Sequence, residues 1–203
     1  MRGLFFLILS LVGSLPLAAE ERADPDAAMM AERLPEKLLK YIHRSPERFI
    51  VEVTDEIASY GGDLGLGPAG IERMIASDRA RVRARSVERV MEADLDNDGT
   101  VTRGELANLV SISPEGARGR VETAWRQTDA DGDGNASARE VKAYADRQAL
   151  RGLSEDQAEA LRAYMVMDAN GNNFLTVDEA IAAVTALGML DLKAAKAKAK
   201  KDI

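Results

Sequence analysis

The chain has no cysteine and a single histidine, His43. The first absence excludes disulfides, thiolate zinc sites, thiol nucleophiles and lipid anchoring through a processed N-terminal Cys. The second excludes metal sites built from several imidazoles. Any metal held here must be met by oxygen ligands, which select hard divalent cations. Aromatic residues are scarce at 4%, although hydrophobic residues reach 46%, so the core must be largely aliphatic. No apolar run approaches the ~20 residues that a membrane-spanning helix needs. Positive charge is not in surplus either: 34 Asp and Glu stand against 27 Lys and Arg, a formal charge of −7. A binder of phosphate backbones needs a basic face, so nucleic acid is not an expected partner, whereas a cation is compatible.

With 203 residues the chain can form one domain of ordinary size or two small lobes. Residues 1–19 read as a signal peptide. Arg2 gives the positive start, residues 4–12 the short apolar stretch, and Leu17-Ala18-Ala19 the small-residue cleavage region. Cleavage after Ala19 and an exported, periplasmic or secreted protein are the expectation. It would take away one positive charge, turning −7 into −8.

Residues 20–45 form a lead-in, loose to about residue 34, then a short helix over 35–43 with Leu38, Leu39 and Ile42 on one side. Ser45-Pro46-Glu47 is a helix start, a capping hydroxyl before Pro and an acid in the first turn. Phe49, Ile50, Val53, Ile57 and Tyr60 follow at helical spacing. Gly61, Gly62, Gly65, Gly67, Pro68 and Gly70 mark a loop. A long helix is expected over 71–93. Further helices start at Ser113-Pro114-Glu115, ending near Thr128, and at Ser154, leading to Met167. The reading is an all-α fold in which helix, Asp/Gly-rich loop and helix recur, with loops starting at Asp94, Asp129 and Asp168.

Residues 94–105 satisfy every element of the pattern D-x-[DN]-x-[DN]-G-x₅-E. Calcium asks for six to eight oxygens at about 2.3–2.6 Å. Asp94, Asp96 and Asp98 each offer a carboxylate oxygen, and Gly99 permits the sharp turn. Thr100 offers its backbone carbonyl, Thr102 acts through a water, and Glu105 closes the shell with both oxygens. Without an ion these acids repel one another at close range. Residues 129–140 fit equally well: Asp129, Asp131, Asp133, Asn135, Ser137 and Glu140 take the same places and Gly134 the turn. Residues 168–179 offer Asp168, Asn170, Asn172, Phe174, Thr176 and Glu179, but Asn173 stands where Gly is expected. Asn tolerates a left-handed backbone, so this loop can still turn. It has two ligand carboxylates against four in each of the others, so weaker binding is expected.

These three loops resemble those of the EF-hand superfamily, the group that includes calmodulin and parvalbumin, and the likeness covers roughly residues 80–188. It implies calcium as the ion and three hands, at about 82–112, 115–150 and 154–188, within a domain spanning 46–188. It also implies that the apolar eighth loop positions, Val101, Ala136 and Leu175, pair with a neighbouring loop in a short strand contact. Val90, Trp125 and Tyr164, each four residues before a loop, fit the flanking pattern, as do Leu106, Val141 and Ala180 immediately after.

Three hands leave one without a mate. Gly61 to Glu72 spans twelve residues ending in Glu, and is read as the loop of a degenerate, metal-free hand, about 48–80, that covers the Asp94 hand. Asp63 is its only acid before Glu72, and Pro68 occupies the pairing position but cannot donate a hydrogen bond. The alternative is a Gly-rich connector, with the odd hand dimerising between chains. Arg79, Arg81, Arg83 and Arg85 scatter around a helix and read as solvated, as does His43. Met91, Met165 and Met167 read as core filling. The tail 189–203, with five lysines, reads as frayed and soluble.

The expected function is calcium binding, as buffer or structural module, with three Ca²⁺ sites and no catalysis. The other reading is a calcium-dependent adaptor that opens a groove to another exported protein. No nucleophile–base pair or phosphate loop points to an enzyme.

Overall fold

The computed structural model describes residues 26–188. The signal segment, the beginning of the lead-in and the lysine tail lie outside the described residues. Nine α-helices and one 3₁₀ turn dominate them, with a two-stranded ladder. No helix among them is long and apolar enough to cross a membrane.

The lead-in is more ordered than expected. Asp26 accepts hydrogen bonds from the backbone of Ala28 and Met29 and so starts α1, Ala27–Arg33. Pro35 precedes α2, Glu36–Arg44, whose buried side is the expected Leu38, Leu39 and Ile42. The reason for the order is burial: Met30 and Leu34 pack into the same core as α2, and periodicity over so short a stretch does not reveal it. Pro46 opens α3, Pro46–Tyr60, although the Ser45 side chain makes no cap. α4 runs Pro68–Met91, three residues earlier than expected because Pro68 itself supplies the first helical position. α5 (Arg103–Ile112), α6 (Glu115–Thr128), α7 (Ala138–Gly152) and α8 (Glu155–Arg162) follow. The 3₁₀ turn Ala163–Met167 and α9, Val177–Gly188, complete the order.

Two cores form. The terminal core joins α1, α2, α3, the first half of α4, α8 and α9 around Phe49, Ile71, Met167 and Leu187. Phe49 sits edge-on to Tyr41 and Tyr164, at 6.1 and 5.5 Å, so three of the few aromatics meet in this core. The central core joins the end of α4 to α5, α6 and α7 around Val90, Val101, Trp125 and Tyr144. α4 crosses both, and α7 packs along it, with Gly152 set so close that a Cβ there would meet Val82 at 3.0 Å. Of the three methionines read as core filling, Met167 is fully buried, while Met91 and Met165 pack at core edges.

Backbone ladders decide which loops face each other. β1 (Val101–Thr102) pairs antiparallel with β2 (Asn135–Ala136), placing Val101 opposite Ala136. Leu175 has a different mate: it bridges Leu66. The degenerate-hand expectation is therefore corrected. The Gly61–Leu66 segment does lie across from a loop, but from the Asp168 loop and not from the Asp94 loop, which already has the Asp129 loop. Nor does Pro68 hold the pairing position, which falls to Leu66. Glu72, at the place of a closing ligand, is bound to Arg162 at 2.6 Å instead.

The arginine reading also needs correcting at one residue. Arg79 donates to the Leu153 carbonyl at 3.2 Å and to Glu155 at 2.9 Å, tying α4 to the start of α8. Arg162 meets Glu72, Glu155 and Glu159, so these groups form one network. His43 is half-covered, with a buried Nε2 that has no hydrogen-bond partner.

Candidate metal centre

The three loops are wired alike. In the first, Asp94 accepts from the backbone N–H groups of Asp98 and Gly99, at 3.1 and 3.0 Å. Asp96 accepts from Asp98, and Asp98 from Thr100 at 2.7 Å. In the second, Asp129 accepts from Gly132 and Gly134, Asp131 from Asp133, and Asp133 from Asn135. In the third, Asp168 accepts from Gly171 and Asn173, Asn170 from Asn172, and Asn172 from Phe174. Side chains at the first, third and fifth positions thus hold the loop by its own backbone donors.

Each loop needs two left-handed residues, at the fourth and sixth positions. They are Asn97 (φ 60°) and Gly99 (φ 85°), Gly132 (74°) and Gly134 (90°), and Gly171 (71°) and Asn173 (65°). Asn173 does take the conformation expected of it. The fourth position was missed by the sequence reading, although Asn or Gly stands there in every loop and signals it.

The closing acids join loop to helix. Glu105 Oε1 accepts from Leu95 at 2.9 Å, while Oε2 accepts from the backbone and hydroxyl of Thr102, both at 2.8 Å. Thr102 in turn caps α5, accepting from the Glu105 N–H, which makes a reciprocal capping box. Ser137 with Glu140, and Thr176 with Glu179, repeat this arrangement. These donors hold Glu105 below the usual carboxylate range, the Thr102 backbone foremost. They take Glu140 down to about 2, chiefly through the Ser137 hydroxyl. Both acids are therefore held in the anionic form at neutral pH. The hydroxyls read as acting through water are here engaged with the closing acid.

One carboxylate oxygen from each of Asp94, Asp96 and Asp98 lies within 4.8 Å of the other two, and the same holds for Asp129, Asp131 and Asp133. No ion pair reaches these six groups among the described residues, although arginines are plentiful nearby. Three carboxylates held this close repel by roughly 1 kcal/mol per pair or more, depending on the local dielectric. The all-oxygen donor set, the missing counter-charge and the wrapped backbone fit a hard divalent cation. The third loop supplies amide oxygens in place of two of the acids and forms no comparable acidic trio.

A family model described as EF hand matches residues 91–110, the end of α4, the first loop and most of α5. The chain therefore carries an EF hand over this stretch. Its matched hand accounts for the Asp94 cluster as a calcium site: the ion would be held by Asp94, Asp96, Asp98 and Glu105, with the Thr100 carbonyl. No solved structure matches the chain at a significant level.

Proposed function

We propose that this EF-hand protein is an exported calcium-binding module that takes three Ca²⁺ ions, one in each of the loops starting at Asp94, Asp129 and Asp168. The carrying observation is the threefold repetition of one hydrogen-bond scheme, closing acid and capping box included. The Asp129 loop reproduces the four carboxylates of the matched loop, as Asp129, Asp131, Asp133 and Glu140. The Asp168 loop reproduces its backbone with half the ligand carboxylates, so it is the weakest of the three.

The role is binding and not catalysis, as buffer or structural element. Export is supported by Arg2, the apolar stretch at 4–12 and the Leu17-Ala18-Ala19 cleavage region. In such a compartment calcium is abundant, and sites with Kd of roughly 10⁻⁴–10⁻³ M stay occupied. Three ions would bring a mature charge of −8 to −2, so loading also relieves self-repulsion.

Calcium titration calorimetry on the purified chain tests this. Three equivalents are expected, with one fewer in each of Glu105→Gln, Glu140→Gln and Glu179→Gln. Absence of heat and of thermal stabilisation at millimolar calcium would sink the proposal.

A further inference from the structure

Glu56, on α3, belongs neither to a loop nor to the ion-pair network. One of its carboxylate oxygens is buried without a hydrogen-bond partner, and the Tyr164 hydroxyl bonds the carboxyl. It is the only carboxylate so placed among the described residues. The groups that bear on it are acids: Glu52 and Asp55 from α3 itself, and Asp78 from α4. Arg48 and Arg81 are already engaged by Glu52 and Asp78, each at 2.9 Å. From α2, Tyr41 gives its hydroxyl to Glu52 at 2.6 Å, Lys37 and Lys40 pair with Asp156 and Glu36, and His43 and Arg44 end the helix. α9, which also packs along α3, has Asp178 and Glu179 in its first turn and no Lys or Arg. No ion pair reaches Glu56 among the described residues. Burial foremost, and then these acids, raise its pKa to about 7.

Its partner Tyr164 stands where the third loop is entered. The helices before the other loops run on to Met91 and Thr128, but here α8 stops at Arg162 and the 3₁₀ turn Ala163–Met167 makes the approach. The Asp129 N–H is held by the Trp125 carbonyl at 2.9 Å, whereas the Asp168 N–H reaches the Met165 carbonyl only at 3.4 Å. Such a turn is a tighter and less well bonded form of helix, able to shift. Tyr164 lies four positions before Asp168, a rise of about 8 Å at the 3₁₀ spacing.

We propose that Glu56 is a proton site coupled to the Asp168 loop: protonating it weakens calcium binding there, and calcium binding there expels the proton. Two routes carry the coupling. Calcium brings two positive charges that favour the ionised carboxyl, through a protein interior where salt screens little. Ionised Glu56 also accepts a stronger, charge-assisted bond from Tyr164, which steadies the turn presenting Asp168. Linkage makes the effect reciprocal, so whatever calcium does to the proton, the proton does to calcium. Affinity is then lowest at acid pH, where Glu56 is protonated with and without the ion. It rises as pH passes through about 7 and levels off above. The Asp94 and Asp129 loops have no such group beside them and escape this control. The proposal rests on the third calcium ion proposed above.

The test is calcium calorimetry on the purified chain between about pH 5.5 and about pH 8.5, a span that brackets the titration. Glu179→Gln identifies the third event by removing it. That event should tighten about threefold or more across the span, within the usual range of coupling between sites. Repeating it near pH 7 in two buffers of different ionisation heat should show a net release of protons, up to one per ion. Glu56→Gln should abolish both the release and the pH dependence, and hold the affinity near the parent's acid value. His43→Gln should leave both effects intact, although histidine titrates in the same window. A third event without proton release, or a pH dependence that survives Glu56→Gln, would overturn the proposal. So would loss of the effect in His43→Gln, which would assign the proton to that imidazole. Absence of a third event at every pH defeats the three-ion reading itself, and the coupling with it, whereas a third event insensitive to pH defeats the coupling alone.

Discussion

Leu66 and Leu175 exchange both backbone hydrogen bonds, at 2.9 and 3.0 Å, from opposite ends of the described chain. This bridge gives the Asp168 loop a mate that carries no ligand set of its own. Gly65 makes the approach feasible: its φ is +112°, and a Cβ there would lie 2.5 Å from the Leu175 carbonyl oxygen. Gly65→Ala therefore combines a left-handed penalty with a backbone clash, together about 2–3 kcal/mol. A fall of about 5 °C or more in melting temperature is expected. The calorimetric affinity of the third calcium should fall with it, while the other two are spared. An unchanged melting temperature would show that the bridge is not needed.

Trp125 is the only tryptophan, and it lies in the central core with the Arg103 guanidinium 5.7 Å from its ring centroid. It stands four positions before Asp129, and none of the Asp168 loop packs in its core. Its fluorescence should follow loading of the Asp94 and Asp129 loops, which share the β1–β2 ladder and so should fill together. Calorimetry should then show a further, weaker event to which the fluorescence is blind. One emission transition spanning all three equivalents would contradict this division.

The helices and the first two loops were legible because their signals are local: Pro and Ser starts, helical spacing of apolar residues, and alternate acids ended by Glu. Pairing was legible only in part. That Val101 and Ala136 face each other follows from their equivalent loop positions. That Leu175 faces Leu66 does not, since Leu66 lies in a Gly-rich stretch with no ligand pattern, and the contact is long-range. α1 was missed because Asp26 and two buried side chains, Met30 and Leu34, hold it through tertiary packing. Arg79 was misjudged because its partners, Leu153 and Glu155, are far away in sequence.

Asn173 holds φ 65° where the Asp94 and Asp129 loops have glycine. An L-residue pays for that conformation, Asn less than others, so Asn173→Gly should recover a few tenths to 1 kcal/mol. The expected result is a two- to fivefold gain in affinity of the third site, about that energy in equilibrium terms. The site should still rank last, because Asn170 and Asn172 remain neutral. A loss of affinity would mean that the Asn173 side chain itself serves the ion.

Glu56 lies on α3, with one carboxylate oxygen buried and unpartnered. Burial raises its pKa to about 7, and repulsion from Glu52, Asp78 and Asp55 adds to that, against a hydrogen bond with the Tyr164 hydroxyl. The same burial, with Glu56 beside it, pushes the Tyr164 hydroxyl far upward, so it stays protonated and is the donor when Glu56 ionises. The folded chain thus binds a proton at Glu56 more tightly than the unfolded chain does. Its contribution is complete below the unfolded value, near 4.5, and is lost as pH rises from there through about 7, up to about 3 kcal/mol in all. Gln in its place keeps an acceptor for Tyr164 and has no charge to bury. In calcium-free buffer, the melting temperature of Glu56→Gln relative to the parent should be flat below pH 4.5, rise between pH 4.5 and 7, and level off above. Because the loop carboxylates are identical in both proteins, their titration cancels in the difference. A difference that stays constant across this window would show that Glu56 ionises normally in the fold.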